Sequence, residues 1–266
     1  MTRLMRSLEV LRSKGDRALI CYLMAGDPTP ARAAEIVVAV AEAGADVIEL
    51  GIPFSDPLAD GPSIQAAGQR ALNAGTTVPV CLDIVRQVRR TADTPIVLMT
   101  YLNPILSYGL QRFAADAADA GADGAILVDL TPDEAEEWQE AAAAAGLGTV
   151  FLLAPTSTPE RIRLVGRLCT GLVYCVARTG VTGARVDLPP DLPELLARVR
   201  AETDRPVGVG FGISTPEQVR TVAELADGVI VGSALVNVVA EAGDSPDAAS
   251  AAAELVRSLK AGTRRA

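Results

Sequence analysis

The segment EAGADVIEL, residues 42–50, decides the fold, because related segments recur as DAGADGAILVDL at 119–130 and ELADGVIVGS at 224–233. In each segment a helix-like stretch ends near a small residue, an Asp follows, and an apolar strand begins. A unit that passes from helix to buried strand and repeats along one chain is typical of alternating α/β architecture.

The same helix-to-strand pattern, followed along the whole chain, predicts eight strands. They fall near residues 18–24, 47–50, 96–101, 124–128, 149–153, 172–175, 207–211 and 229–231. The segments between them carry apolar residues at spacings of three and four, with Pro near the start, and are predicted to be helices. Eight near-continuous apolar strands separated by helices favour a closed (β/α)8 TIM barrel over an open doubly wound sheet. We therefore predict a single α/β barrel domain over residues 1–266, with an extra N-terminal helix at 3–13 placed over the barrel bottom.

The composition alone allows one barrel-sized domain or two smaller ones, and the distribution of charge argues against nucleic acid as a partner. The 266 residues are 49% hydrophobic and 21% charged, with a formal net charge of -9. Lys and Arg are scattered, so no basic face is expected to meet nucleic acid. The N-terminus lacks the apolar core of a signal peptide and no segment is long and apolar enough to span a membrane, so the expected location is cytoplasmic.

Metal and Schiff-base chemistry are not expected. The sequence has no His, and its four cysteines form no CxxC pair. We therefore predict that the cysteines are reduced, buried small hydrophobes. Lys14 and Lys260, the two lysines, lie in the terminal segments. A carbon–carbon cleavage by this chain would have to use acid and base catalysis.

Two carboxylates are predicted to face one active site. The longest intervals follow the second and sixth strands, which predicts catalytic loops at about 51–63 and 177–191 on the active face of a barrel. Glu49 lies inside an apolar strand, where an acid is costly unless it is paired or used. Asp60 follows on a proline-stiffened loop. Two carboxylates from different backbone elements are the arrangement that acid and base catalysis needs.

The other strand-associated acids are predicted to be structural. Asp46, Asp123 and Asp227 precede their strands and are expected to make capping or turn hydrogen bonds. Asp129 ends its strand before Leu-Thr-Pro and is expected to cap the next helix.

Glycines near the ends of the last strands predict a phosphate site. Strand seven ends in GVGFGIS and strand eight in IVGSALV. Backbone N–H groups and a Ser at a helix start are suited to bind phosphate there, with Gly212, Gly232 and Ser233 as candidates and Gly183 reaching in from the sixth loop. A phosphorylated ligand leaves open a lyase, a phosphosugar isomerase or epimerase, and a non-catalytic sensor.

Five motifs together resemble the alpha subunit family of tryptophan synthase. They are AGDP at 25–28, ELGIPFSDPLADGPSIQ at 49–65, TYLNPILSYG at 100–109, RTGVTGAR at 178–185, and GFGIS with GSA near the end. The resemblance spans essentially the whole chain. It implies a lyase of tryptophan biosynthesis that cleaves indole-3-glycerol phosphate, in a retro-aldol sense, to indole and glyceraldehyde 3-phosphate. It also implies that this chain needs no bound cofactor or metal.

The same resemblance implies roles for individual residues. Glu49 aligns with the acid/base residue that protonates C3 of the indole, and Asp60 with the carboxylate that binds the indole N–H. Thr182 matches a threonine that closes on Asp60. We expect Tyr22, Tyr174 and Phe211 to be pocket walls, since aromatic side chains on barrel strands either fill the core or contact ligand.

A partner is implied as well. The family's alpha subunit works with a separate beta subunit that carries pyridoxal phosphate, in an alpha2beta2 heterotetramer. Asp56 and Asn103 match the surfaces that make this contact. A stand-alone indole-3-glycerol phosphate lyase, which would keep Glu49 and Asp60 without needing a partner, stays open as an alternative.

Overall fold

A closed parallel barrel forms the centre of the molecule. The structure is a computed structural model that describes residues 2–176, 190–210 and 212–264. Within these residues the strands are β1 (Ala18–Met24), β2 (Val47–Gly51), β3 (Ile96–Thr100), β4 (Gly124–Leu127), β5 (Gly148–Val150), β6 (Leu152–Leu153), β7 (Val173–Val176), β8 (Val207–Gly210) and β9 (Gly228–Val231). Their order in the sheet is β5-β4-β3-β2-β1-β9-β8-β7-β6. Because β5 and β6 are consecutive in the chain, the two ends of this sheet meet.

The predicted (β/α)8 barrel is therefore confirmed, with one difference at its fifth strand. The stretch predicted as one strand at 149–153 is divided at Phe151 into β5 and β6. β5 pairs with β4 on one side, and β6 pairs with β7 on the other. The carbonyl of Phe151 accepts the N–H of Tyr174 at 3.1 Å, so pairing changes sides at this residue while the barrel stays closed.

Helices surround the barrel in the described residues. They are α1 (Arg3–Lys14), α2 (Pro30–Glu42), α3 (Pro62–Asn73), α4 (Val78–Arg89), α5 (Leu102–Tyr108), α6 (Leu110–Ala120), α7 (Glu136–Ala145), α8 (Pro159–Leu168), α9 (Leu192–Glu202), α10 (Pro216–Ala223), α11 (Ser233–Ala242) and α12 (Ala248–Lys260). Short 3-10 turns occupy Pro132–Glu134 and Ala261–Thr263. Thr29, Thr158 and Thr215 each cap a helix that has Pro at its first position, as the sequence pattern predicts. None of the helices in the described ranges has the length and apolarity needed to cross a bilayer.

Alternating side chains divide each strand between the barrel interior and the helix layer. Leu19, Cys21 and Leu23 of β1 belong to the apolar cluster that includes the surrounding helices, whereas Ala18 and Ile20 belong to the cluster inside the barrel. The same alternation sends Ile48 and Leu50 of β2 outward, so Glu49 between them faces the interior. All four cysteines are buried and free, as predicted.

The N-terminal helix closes the bottom of the barrel, which confirms its predicted position. Leu4 and Leu8 of α1 are buried among interior residues of the strands. These interior residues are Ala18, Ile20, Val47, Val97, Ile126, Val150, Leu172 and Ile230. A continuous apolar layer therefore lies beneath the end of the barrel where β2 presents Glu49.

The acids that precede strands join neighbouring strands at the barrel bottom. Their carboxylates accept backbone N–H bonds: Asp46 from Leu19 at 2.7 Å, Asp123 from Ile96 at 2.9 Å, and Asp227 from Val207 at 2.9 Å. Each is also paired with a basic side chain, namely Lys260 for Asp46, Arg3 and Arg89 for Asp123, and Arg200 for Asp227. Their role is structural, as predicted, but their carboxylates bond to the preceding strand and to basic side chains instead of making the predicted capping or turn hydrogen bonds.

The prediction that Asp129 caps the helix after it is wrong. Its Oδ1 accepts the N–H of Leu102 at 2.7 Å, at the start of α5, instead of capping the helix that follows it. β3 and β4 are parallel neighbours, so the end of β4 lies beside the loop that leaves β3. The nearest unpaired N–H therefore belongs to the preceding βα unit.

Candidate active site

A cavity of about 670 Å³ opens at the carboxyl ends of the strands, above the apolar layer. Glu49 and Asp60 both line it, so the structure brings the two predicted catalytic carboxylates together. The other lining residues are mostly apolar and come from the strands and from the loops and helix starts that follow them. Such a mixture of apolar walls and few polar groups is typical of a small-molecule site.

Glu49 is buried, and one of its carboxyl oxygens is unpaired. The residue is 2% exposed, and within the described part of the chain its Oε1 has no hydrogen-bond partner. Burial, with a smaller contribution from the nearby Asp60 carboxylate, raises the pKa of Glu49 to about 8. Glu49 is therefore mostly a neutral acid at pH 7, so it is able to donate a proton.

Asp60 lies in a more polar environment. It is partly exposed, and burial raises its pKa to about 6, while a hydrogen bond from the Tyr101 hydroxyl works in the opposite direction. The Tyr101 hydroxyl also accepts the N–H of Ala59 at 2.9 Å, which ties the loop carrying Asp60 to the end of β3. At pH 7 Asp60 is therefore mostly ionised.

The two carboxyl groups thus have separate tasks available. One is a proton donor near neutral pH, and the other is an anion able to accept an N–H bond or stabilise a positive charge. Pairs of acids whose environments separate their pKa values are characteristic of acid/base sites.

Tyr22 and Tyr174, the two described candidates for pocket walls, both line the cavity with Glu49. Tyr22 is in register with Glu49 on the neighbouring strand, and its hydroxyl donates a long hydrogen bond of 4.0 Å to Sδ of Met24. A Cβ at Gly51 would lie 2.2 Å from the Tyr22 hydroxyl, so this glycine makes room for the ring. Burial raises the pKa of both tyrosines well above the ordinary value, so both stay protonated.

The predicted phosphate residues lie on one side of the cavity. Gly212, Gly232 and Ser233 all line it, after β8 and β9. Ser233 is buried at the first position of α11. Gly183, Thr182 and Phe211 lie outside the described residues, as does most of the predicted loop 177–191.

The predicted partner residues lie outside the cavity. Asp56 and Asn103 are exposed, and neither lines the cavity. Leu58 and Leu106 are also exposed, to 89% and 53%, and Leu58 lines the cavity.

Comparison with known proteins decides the family. The family model described as "Tryptophan synthase alpha chain" matches residues 8–264. A curated protein of that name from Solibacter usitatus is 50% identical over 262 residues, which cover 98% of each chain. Another, from Pelobacter propionicus, is 52% identical over 238 residues, covering 90% of this chain and 89% of the relative. The chain belongs to the tryptophan synthase alpha chain family.

Solved structures agree with this membership. A chain of Mycobacterium tuberculosis tryptophan synthase superposes with a TM-score of 0.92 at 41% identity, covering 100% of this chain and 99% of that one. The alpha subunit of tryptophan synthase from Legionella pneumophila gives a TM-score of 0.88 at 41% identity, with 99% and 98% covered. The family resemblance and the barrel expected from it are therefore confirmed.

Several residues in or beside the cavity were missed by the sequence reasoning. Tyr101 stands in the motif that supplied Asn103, yet only the structure brings its hydroxyl to the loop of Asp60. Ser157 and Arg161, which line the cavity from the loop after β6 and the first turn of α8, lie in no recognised motif. Asp129 also lines the cavity, although the sequence assigned it to capping. A polar residue directly after a strand end was the signal available for Asp129.

Proposed function

We propose that Glu49 and Asp60 carry the chemistry of the alpha chain reaction, the retro-aldol cleavage of indole-3-glycerol phosphate to indole and glyceraldehyde 3-phosphate. The observation that carries this assignment is the placement of two carboxyls in one cavity with pKa values of about 8 and about 6. The reaction is a lyase step of tryptophan biosynthesis, and the alpha chain carries no cofactor of its own.

The proton transfers that the cleavage requires can be assigned to these two groups. Glu49, neutral and buried, donates its proton to C3 of the indole ring, and the ring nitrogen takes the positive charge. Asp60, ionised, accepts the indole N–H and stabilises that charge. The Glu49 carboxylate then removes the proton from the side-chain hydroxyl next to C3. The carbon–carbon bond breaks, its electron pair returns to the ring, and the hydroxyl carbon becomes the aldehyde.

The substrate's phosphate is assigned to the backbone at Gly212 and Gly232 and to Ser233. The first turn of α11 supplies N–H groups and the positive end of a helix dipole to this side of the cavity. Gly183 is proposed as a further contact from the sixth loop. Tyr22, Tyr174 and Phe211 are proposed to enclose the indole ring, and Thr182 to close on Asp60.

The partner of this chain is the tryptophan synthase beta subunit, which carries pyridoxal phosphate, in a heterotetramer. We propose that Asp56 and Asn103 contact it, supported by their exposure outside the cavity. Asp56 lies four residues before Asp60 on one stiff loop, so binding there is expected to reach the catalytic carboxylate. If Asp56→Ala left activation by the beta subunit unchanged, this link would be wrong.

The chain is further proposed to form one barrel domain over residues 1–266 and to work in the cytoplasm. The closed sheet and the buried free cysteines support these two assignments.

The decisive experiment measures indole release from indole-3-glycerol phosphate by the parent, Glu49→Gln and Asp60→Asn proteins, each with and without the beta subunit. We expect both variants to lose at least about 100-fold in kcat, the size typical of removing one acid/base or electrostatic group. Glu140→Gln, at an exposed helix position, is the control that should keep parent activity. A Glu49→Gln protein as active as the parent would contradict the assignment. Parent turnover that does not respond to the beta subunit would favour the stand-alone lyase.

A further inference from the structure

Arg161 places a positive charge at the edge of a cavity whose other described ionisable groups are acids or tyrosines. Glu49, Asp60 and Asp129 supply the carboxyl groups, and among the described lining residues Arg161 is the one Lys or Arg. The chain as a whole carries a net charge of -9. A phosphate monoester with about two negative charges at neutral pH is therefore repelled by most of the surface and by the acids inside.

The position of Arg161 is fixed by its own helix. It lies in the first turn of α8, where its backbone N–H donates to the capping Thr158 hydroxyl at 3.3 Å. Its Nη2 lies 2.6 Å from Oδ2 of Asp133 on the short turn after β4. Arg161 lines the cavity, whereas its ion-pair partner Asp133 does not. Its side chain keeps 35% exposure and so is reachable from solvent.

Arg161 is separate from the proposed phosphate site. α8 follows β6, whereas Gly212, Gly232 and Ser233 follow β8 and β9. In the sheet order β7 separates β6 from β8, so the two groups occupy different parts of the cavity wall. Arg161 is therefore set apart from the proposed phosphate ligands, and its partly exposed side chain is accessible from solvent.

We propose that Arg161 is a substrate-steering residue that attracts the phosphate group of the incoming substrate at the cavity mouth, before the phosphate reaches the backbone site. The inference rests on the proposed function, because it needs a phosphorylated substrate. It predicts an effect that depends on substrate charge and on ionic strength. An ordinary structural role for the Arg161–Asp133 pair predicts neither.

The test compares Arg161→Gln, Arg161→Lys and Arg163→Gln in the chain saturated with beta subunit. Arg163 is the matched control, since it lies two residues along the same helix, makes its own ion pairs with Glu160 and Glu202, and does not line the cavity. Both Gln variants remove one positive charge and at least one ion pair from α8. Thermal unfolding of each variant verifies that it is folded.

At about 20 mM salt we expect Arg161→Gln to lower kcat/KM for indole-3-glycerol phosphate about three- to ten-fold, with kcat unchanged. The difference should vanish near about 0.5 M salt, where the Debye length falls below about 5 Å. Arg161→Lys should recover most of the loss, because steering needs the charge and not the guanidinium shape. Arg163→Gln should behave as the parent.

The reverse reaction provides a second readout, because it joins an anionic and a neutral substrate. Arg161→Gln should raise KM for glyceraldehyde 3-phosphate and leave KM for indole unchanged. Equal losses in Arg161→Gln and Arg163→Gln, a loss insensitive to salt, or equal changes in both KM values would overturn the proposal. Were the parent unable to release indole, the proposed function would fail and this inference with it. If the parent releases indole and kcat/KM of Arg161→Gln equals that of the parent, only the steering role is wrong.

Discussion

Replacing Glu49 with Gln should make the protein more stable, and increasingly so as pH rises. Gln has nearly the same shape as Glu but no charge to bury. In the parent, Glu49 is 2% exposed and its pKa is raised from 4.5 to about 8, first by burial and then by the Asp60 carboxylate. The folded protein therefore holds the Glu49 proton more tightly than the unfolded chain does.

The sign and size of the effect follow from this difference in pKa. The stabilisation gained from holding the proton is complete below about pH 4.5 and is lost progressively as the pH rises to about 8. Each pKa unit is worth about 1.36 kcal/mol, so the full loss is about 5 kcal/mol. Relative to the parent, Glu49→Gln should gain about 1 kcal/mol at pH 5, about 3 kcal/mol at pH 7 and more than about 4 kcal/mol at pH 9.

Urea titrations at these three pH values measure the free energy of unfolding. Trp138, the single tryptophan, is 2% exposed in α7 and reports unfolding by fluorescence. Any penalty for an unpaired donor on the Gln amide is independent of pH, so the slope of the stability difference against pH is the test. Glu140→Gln, an exposed position on the same helix as Trp138, should give a parent-like slope. A difference between Glu49→Gln and parent that stays constant from pH 5 to pH 9 would refute the raised pKa.

Three further predictions follow from the same geometry. The pH profile of kcat/KM should be bell-shaped. Activity should fall below about pH 6, as Asp60 is protonated, and above about pH 8, as Glu49 ionises. A profile that is flat across about pH 6–8.5 and falls only outside that range would contradict these pKa values. Tyr101→Phe removes the hydrogen bond that lowers the pKa of Asp60 and also the acceptor for the Ala59 N–H. The acid limb of the kcat/KM profile should therefore move to higher pH. An acid limb that does not move would count against the contact between Tyr101 and Asp60. Leu4→Ala should cost about 2–5 kcal/mol in urea unfolding while KM stays unchanged, because Leu4 belongs to the layer beneath the cavity; a change in KM without a loss of stability would contradict that position.

The fold could be predicted from the sequence because the relevant information is local. Apolar strands, capping threonines and helix-starting prolines each lie within a few residues of the element that they define, and they recur along the chain. Glu49 was recognisable for the same reason, since it is an acid within an otherwise apolar strand. The division of the fifth strand at Phe151 was not predictable in this way, because it depends on which neighbours the strand meets when the barrel closes.

Contacts between separate βα units account for the rest of what was missed. The Tyr101 hydroxyl reaches the N–H of Ala59 across 42 residues, and Asp129 reaches back 27 residues to Leu102. Arg161 lines the cavity from the first turn of α8, in a stretch without a recognised motif. Such groups become part of the site because the carboxyl ends of parallel strands meet around one mouth, which the sequence gives only once the barrel is assumed.

The three acids of residues 49–65 differ in chemistry because they sit on different parts of the backbone. Glu49 is in a strand and is held over an apolar layer, where ionisation is costly, so it is suited to carry a proton. Asp60 is on the loop above, partly exposed and bonded to Tyr101, so it stays an anion near neutral pH. Asp56 is on the same loop but exposed, outside the cavity. Because Asp56 and Asp60 lie four residues apart on one loop, we expect a movement imposed at Asp56 to reach Asp60, whereas Glu49 is held in β2 of the barrel. A partner bound at that loop would therefore change the distance between the two carboxylates without disturbing the proton donor.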